Sequence, residues 1–158
     1  MKQIWAPWRM EYISKIKEKG CFLCDIFQST DDRNNLVLKR GEYCGLVMNR
    51  YPYNNGHIMA TPYRHVNCLE DMNEKEHTEL MALASLACTA LRKTIRPDGF
   101  NIGMNVGAVA GAGLKDHIHM HIVPRWEGDT NFMPIISEVK VIPQLLFELW
   151  DQLHEVLK

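Results

Sequence analysis

Three histidines, His117, His119 and His121, hold alternate positions in the run His117-Ile118-His119-Met120-His121-Ile122-Val123-Pro124-Arg125-Trp126. Side chains alternate across an extended strand, so this spacing sets the three imidazoles on one face and Ile118, Met120 and Ile122 on the other. Next-nearest residues of a strand lie roughly 6.5–7 Å apart, close enough for the rings to surround a group the size of a phosphate. Imidazole serves as nucleophile, metal ligand or proton donor near neutral pH, and the cluster therefore predicts group transfer. The competing readings are an exposed polar strand face and a metal site built from all three rings with an open fourth position.

Two further groups of residues carry chemistry. Asn101, Asn105, Gly107, Gly111 and Gly113 run directly into the histidine segment. Glycines let backbone N–H groups approach an anion closely and form nests for phosphate oxygens, which points to the N–H groups of Gly111 to Leu114, although a plain hairpin loop is also rich in glycine. The second group is Cys21-x-x-Cys24, for which His65 and His117 are histidines able to complete a tetrahedral Cys₂His₂ zinc site. Four protein ligands leave no position for water, so one structural zinc per chain is expected. A redox pair is the alternative, but no βαβ pattern follows it. Cys44, Cys68 and Cys88 stand among apolar residues and read as small core side chains. His57, after Gly56 at a strand start, reads equally as a site residue or a surface one, whereas His77 and His154 fall on the polar sides of helices. Trp5, Trp8 and Tyr12 read as an aromatic anchor for the body of the chain or for a second subunit, or equally as core residues of the same chain.

The elements that must position these groups are legible as periodicity. Residues 36–48 read as a hairpin around Gly41-Glu42, and His57-Ile58-Met59-Ala60 as a strand that stops at Pro62 after the turn-forming Pro52-Tyr53-Asn54-Asn55-Gly56. Phe100 to Val106 and His117 to Val123 both alternate in period two and read as adjacent antiparallel strands. Asn73 with Glu76 three residues on is a helix start, and Leu80, Met81, Leu83, Ala84, Ala87, Leu91 and Ile95 supply the apolar stripe of a helix ending before Pro97. Pro143 suits the first turn of a second helix with Leu146, Leu149, Trp150, Leu153 and Leu157 on its apolar face. The expected fold is α+β, one domain over 1–158 with an antiparallel sheet and packed helices, an aromatic extension over 1–20 and a tail and helix over 125–158.

Composition sets the outer bounds. The 158 residues, 46% hydrophobic, suffice for one domain with a real core. A net charge of -1, from 18 Lys+Arg and 19 Asp+Glu, gives no electrostatic footprint for nucleic acid. The N-terminal residues lack the apolar run of a signal peptide, and Leu80 to Leu91 is too short and too interrupted to span a bilayer. With five cysteines, an odd number, a secreted disulfide framework is not expected, and the chain reads as cytoplasmic.

The run His117-Ile118-His119-Met120-His121-Ile122-Val123, followed by Pro124-Arg125, resembles the His-φ-His-φ-His-φ-φ pattern, with φ apolar, that names the histidine-triad (HIT) family. The opening Trp5-Ala6-Pro7-Trp8-Arg9-Met10-Glu11-Tyr12 and the later Arg125-Trp126-Glu127-Gly128-Asp129-Thr130-Asn131-Phe132-Met133-Pro134 are similar to the bacterial branch of diadenosine tetraphosphate phosphorylases and HIT hydrolases. The resemblance implies an α+β homodimer that cleaves dinucleoside polyphosphates, with His119 attacking a nucleotide phosphate to form a nucleotidyl-histidine. It implies that His121 binds or orients the phosphate, that Asn105 contacts the nucleotide or the phosphate, that His57 supports the site, and that Cys21, Cys24, His65 and His117 hold zinc. A nucleoside phosphoramidate or adenylyl-lysine hydrolase and a nucleotide-binding regulatory module are the alternatives it leaves open. One departure stands out: many eukaryotic members carry Gln where this chain has Ala112, and one extra residue precedes the histidines here, which leans the expected reaction toward phosphorolysis.

Overall fold

A computed structural model of the protein describes residues 20–129 and 142–158; the aromatic segment with Trp5, Trp8 and Tyr12, and residues 130–134 of the later motif, lie outside the described residues. The described chain runs α1 (Phe22–Gln28), α2 (Asp32–Asn35), β1 (Val37–Arg40), β2 (Cys44–Met48), β3 (Ile58–Pro62), α3 (Glu74–Thr94), β4 (Gly99–Met104), β5 (Met120–Arg125) and α4 (Leu146–Leu157). The five strands form one antiparallel sheet in the order β1-β2-β3-β5-β4. The hairpin, the strand ending at Pro62 and the pairing of the glycine-led strand with the histidine-led one are all present. The α+β fold expected from the sequence is the observed one.

Apolar burial holds the layers together. Leu46, Ile58 and Ile122 of the sheet share one core with Leu80, Ala87 and Leu91 of α3 and with Leu149 and Leu153 of α4. Helix α3 begins as its sequence requires: the Asn73 side chain accepts from Glu76 N–H at 3.0 Å and the Glu76 carboxylate accepts from Asn73 N–H at 2.8 Å, a reciprocal cap. The outer edge at β1 is covered by α4, where the Trp150 indole donates to the Val37 carbonyl at 3.0 Å. At the opposite edge, Asn101, Ile102 and Gly103 of β4 are exposed.

Several boundaries and side chains depart from the periodicity. The hydrogen-bonded part of the histidine strand starts only at Met120, because His117 and Ile118 are held by the 62–66 segment instead: Ile118 N–H donates to the Val66 carbonyl at 2.7 Å. Pro143 precedes the last helix rather than opening it, since α4 begins at Leu146 after the extended Leu145. Met81, expected in the apolar stripe, is 58% exposed. Cys68 is half-exposed and donates its S–H to Asp71 at 3.0 Å instead of packing in the core. His154 is half-buried, its ring stacked on Trp150 with centroids 4.5 Å apart, so it is not a solvated helix residue. Helices α1 and α2 were not anticipated; each is too short for a periodic signal.

Candidate functional site

The histidine run begins in a cluster of metal-ligating side chains. Cys21 caps α1 and Cys24 lies in its first turn, so the two thiols emerge on one side of the helix N-terminus. His65 is brought over by the segment after β3, which Arg64 pins to α3 through a paired contact with Glu76 at 2.6 and 2.7 Å. The Glu76 carboxyl is held below its ordinary pKa chiefly by that guanidinium. The ligand atoms of Cys21, Cys24, His65 and His117 all lie within 4.8 Å of one another. Three S···N edges measure 3.2 Å (Cys21 Sγ to His117 Nδ1), 3.4 Å (Cys24 Sγ to His65 Nδ1) and 3.5 Å (Cys24 Sγ to His117 Nδ1). Tetrahedral zinc with ordinary bond lengths gives S···N edges of about 3.5 Å, so the donor set and its dimensions fit that ion. Tautomer agrees as well. The Pro62 carbonyl can only accept, so His117 Nε2 carries the proton of their 2.9 Å hydrogen bond and Nδ1 keeps its lone pair for the cluster.

His117 is therefore committed at both ring nitrogens and cannot join His119 and His121 in a three-histidine metal site. That alternative ends here.

The next two rings are prepared in opposite senses. His119, 7% exposed, donates from Nδ1 to the His117 carbonyl at 2.9 Å, which leaves Nε2 unprotonated. Burial pushes its pKa down, keeping the ring neutral. His121 is set from the other side. The backbone N–H of Tyr53 donates to His57 Nδ1 at 3.1 Å, so His57 carries its proton on Nε2 and donates it to His121 Nδ1 at 2.9 Å. His121 then holds its own proton on Nε2. Burial first, and the neighbouring His119 second, push the His121 pKa to about 4. The two rings stand nearly perpendicular, 81° between planes, with centroids 4.7 Å apart. One offers a lone pair and the other a proton to the same small volume, the arrangement needed to attack a phosphorus atom and stabilise or protonate its oxygens.

His57 is not a surface histidine: it is buried, at 1% exposure, against His121. It enters through Gly56, whose φ of +73° and close packing on Ile95 and Leu91 leave no room for a side chain. Tyr53 was missed by sequence reasoning. Its ring lies 4.7 Å from that of His57 and 5.5 Å from that of His121, and no local pattern marks it. The Pro62 and His117 carbonyls were missed for the same reason, since backbone acceptors carry no sequence signature.

The glycine-rich loop meets the site through the register of the sheet. Gly103 pairs with His121 and Met104 with Met120, which carries Asn105 to the level of His119. The Asn105 amide donates to the Gly111 carbonyl at 3.3 Å and ties the loop closed. Gly107 and Gly111 adopt φ of +84° and +86°, values that side chains disfavour. Beyond Ala112, the N–H groups of Gly113 and Leu114 take no backbone partner among the described residues.

The chain is similar to known proteins in both sequence and fold. The chain is 43% identical over 155 residues to AP-4-A phosphorylase of Mycobacterium tuberculosis, covering 92% of this chain and 79% of that protein. It is 30% identical over 93 residues to the asymmetrical bis(5'-nucleosyl)-tetraphosphatase of Schizosaccharomyces pombe, covering 59% of this chain and 50% of that one. Among solved structures, a zinc-bound histidine triad family protein from Mycobacterium smegmatis superposes with a TM-score of 0.70 at 24% identity, over 87% of this chain and 93% of that one. A hypothetical histidine triad nucleotide-binding protein from Sulfolobus tokodaii gives 0.69 at 24% identity, over 87% and 91%. The HIT domain family matches residues 31–128, and the chain belongs to that family.

Proposed function

We propose that this enzyme cleaves dinucleoside polyphosphates of the diadenosine tetraphosphate kind, through a nucleotidyl-histidine formed on His119. The opposite tautomers of His119 and His121 carry the reading, and the names of the mycobacterial and yeast relatives support the substrate class. In the first step His119 Nε2 attacks phosphorus, and the P–O bond to the remaining polyphosphate breaks. His121 Nε2–H donates to an oxygen of the transferring or departing group, and the N–H groups of Gly113 and Leu114 receive phosphate oxygens. Inorganic phosphate or water then attacks the same phosphorus and releases His119. Ala112 offers no side-chain amide to hold a water, which favours phosphate as the acceptor.

Zinc held by Cys21, Cys24, His65 and His117 would supply a structural cross-link between α1, the 62–66 segment and the histidine run. The zinc-bound relative supports that assignment, and all four positions are filled by protein. A homodimer completes the proposal, supported by the uncovered β4 edge with Ile102 at 48% exposure. No helix among the described residues is long and apolar enough to cross a membrane, and a cytoplasmic location suits the free thiols.

The test is a short incubation with diadenosine tetraphosphate, quenched in alkali and read by intact mass. A nucleotidyl adduct is expected on the wild type and none on His119→Asn, whose turnover should fall by about 10⁴-fold or more while zinc and nucleotide binding remain. With inorganic phosphate present, the small product should change from AMP to ADP. Full activity in His119→Asn would remove the proposal.

A further inference from the structure

The metal cluster and the attacking ring share a residue. His117 gives its Nδ1 to the Cys21–Cys24–His65 cluster, and its backbone carbonyl, two residues before His119, accepts the Nδ1 proton of that ring at 2.9 Å. Nothing else among the described residues bonds that nitrogen. The carbonyl's direction depends on how residue 117 is held, and three contacts hold it: the cluster itself, Pro62 O on Nε2, and the neighbouring Ile118, whose N–H reaches Val66 O at 2.7 Å and whose carbonyl accepts from Thr61 Oγ1 at 2.8 Å. The cluster changes character along its length. His117 is 1% exposed, Cys21 and Cys24 are half-exposed, and His65 is exposed. Its inner end touches the nucleophile, while its outer end faces solvent.

We infer that the Cys21–Cys24–His65–His117 centre is a positioning element for His119, and that its solvent-facing thiol pair makes this positioning removable by a hydroperoxide. The inference rests on the reading of His119 as nucleophile. In the oxidation, the Cys21 and Cys24 thiolates together give two electrons to the hydroperoxide. A Sγ–Sγ bond forms, the O–O bond breaks, two protons from solvent complete two waters when the oxidant is hydrogen peroxide, and the metal ion is released. His117 Nδ1 then loses its partner. Residue 117 is then held through Pro62, Val66 and Thr61 without the cluster, and the carbonyl that selects the Nδ1–H tautomer of His119 is less firmly oriented. Sequence spacing permits the disulfide, since Cys21 and Cys24 sit one helical turn apart with ligand atoms within the same 4.8 Å limit.

Zinc-loaded, reduced protein is treated with hydrogen peroxide and followed by released zinc, intact mass, far-ultraviolet circular dichroism, the ¹⁵N tautomer signature of the His119 ring, and kcat separately from KM. The expected result is loss of zinc with a mass lower by two hydrogens after metal correction, unchanged helix and sheet signals, and a mixed His119 tautomer. kcat should fall about 10-fold or more, the usual effect of losing an outer-shell partner, with KM little changed. Dithiothreitol plus zinc should restore both kcat and the tautomer. His65→Gln, which weakens the outermost ligand and leaves every residue of the histidine run in the sequence, should lower zinc affinity and shift the same tautomer signal. Zinc-free protein that keeps kcat within twofold and an unchanged tautomer overturns the inference. Unfolding on oxidation, or oxidation confined to Cys68 or Cys88, overturns it too. Failure of the nucleophile reading shows separately, as no adduct on reduced, zinc-loaded enzyme.

Discussion

The two ends of the histidine run are fixed by different physics. At the His117 end, one ring nitrogen meets a carbonyl oxygen that can only accept, and the other meets a cluster of thiols and imidazole sized for a metal ion. At the His121 end, the ring is set by a relay of two imidazoles that starts from one backbone N–H, that of Tyr53. Rigidity comes from groups that only accept or only donate, whereas a histidine pair stays ordered only while its proton count is right. The first end should therefore fail through loss of metal and of stability. The second should fail through chemistry and pH while the fold persists.

The largest expected effect is at the first end. His117→Asn removes the Nδ1 ligand and leaves the Pro62 carbonyl without its imidazole donor, so purified protein should be metal-free. Stability should drop by at least about 3 kcal/mol, or roughly 6–12 °C in Tm for a chain of this size, measured by thermal unfolding with metal analysis. Cys24→Ser should follow it. A variant that keeps its zinc and its Tm would erase the contrast between the ends.

The second end should break more quietly. His57→Phe fills the same apolar volume but removes the Nε2–H donated to His121, so the His121 proton is free to move to Nδ1. Zinc content and Tm should stay near wild type, and kcat should fall about 10- to 100-fold, as for other outer-shell partners of site imidazoles. Loss of zinc in this variant would show that the two ends are one structural unit.

Much of this was legible in the sequence because it is local. Alternation placed His117, His119 and His121 on one face, Asn73 and Glu76 announced the start of α3, and the Cys21–Cys24 spacing identified half of the metal cluster. What stayed hidden is long-range or backbone-borne. Tyr53 acts through its amide, and Pro62 and His117 through their carbonyls, none of which carries a side-chain signature. Pro143 suited a helical first turn, yet the chain stays extended at Leu145 and the helix starts after it.

The smallest effect expected is a pH dependence that belongs to the second end. The His121 pKa stands at about 4 in the folded protein, lowered by burial and then by His119; in an unfolded chain it is about 6.5. Between those values the unfolded chain binds the extra proton and the folded one does not. Stability is therefore full above about pH 6.5 and is lost progressively as pH falls toward 4. Denaturant unfolding of wild type and His121→Phe, compared between pH 4 and 7, isolates the contribution. The wild-type curve should be steeper by close to one proton across that window, and the variant flatter. Parallel curves would mean that the His121 ring ionises as freely in the folded protein as in the unfolded chain, and the proton relay from Tyr53 through His57 would lose its footing.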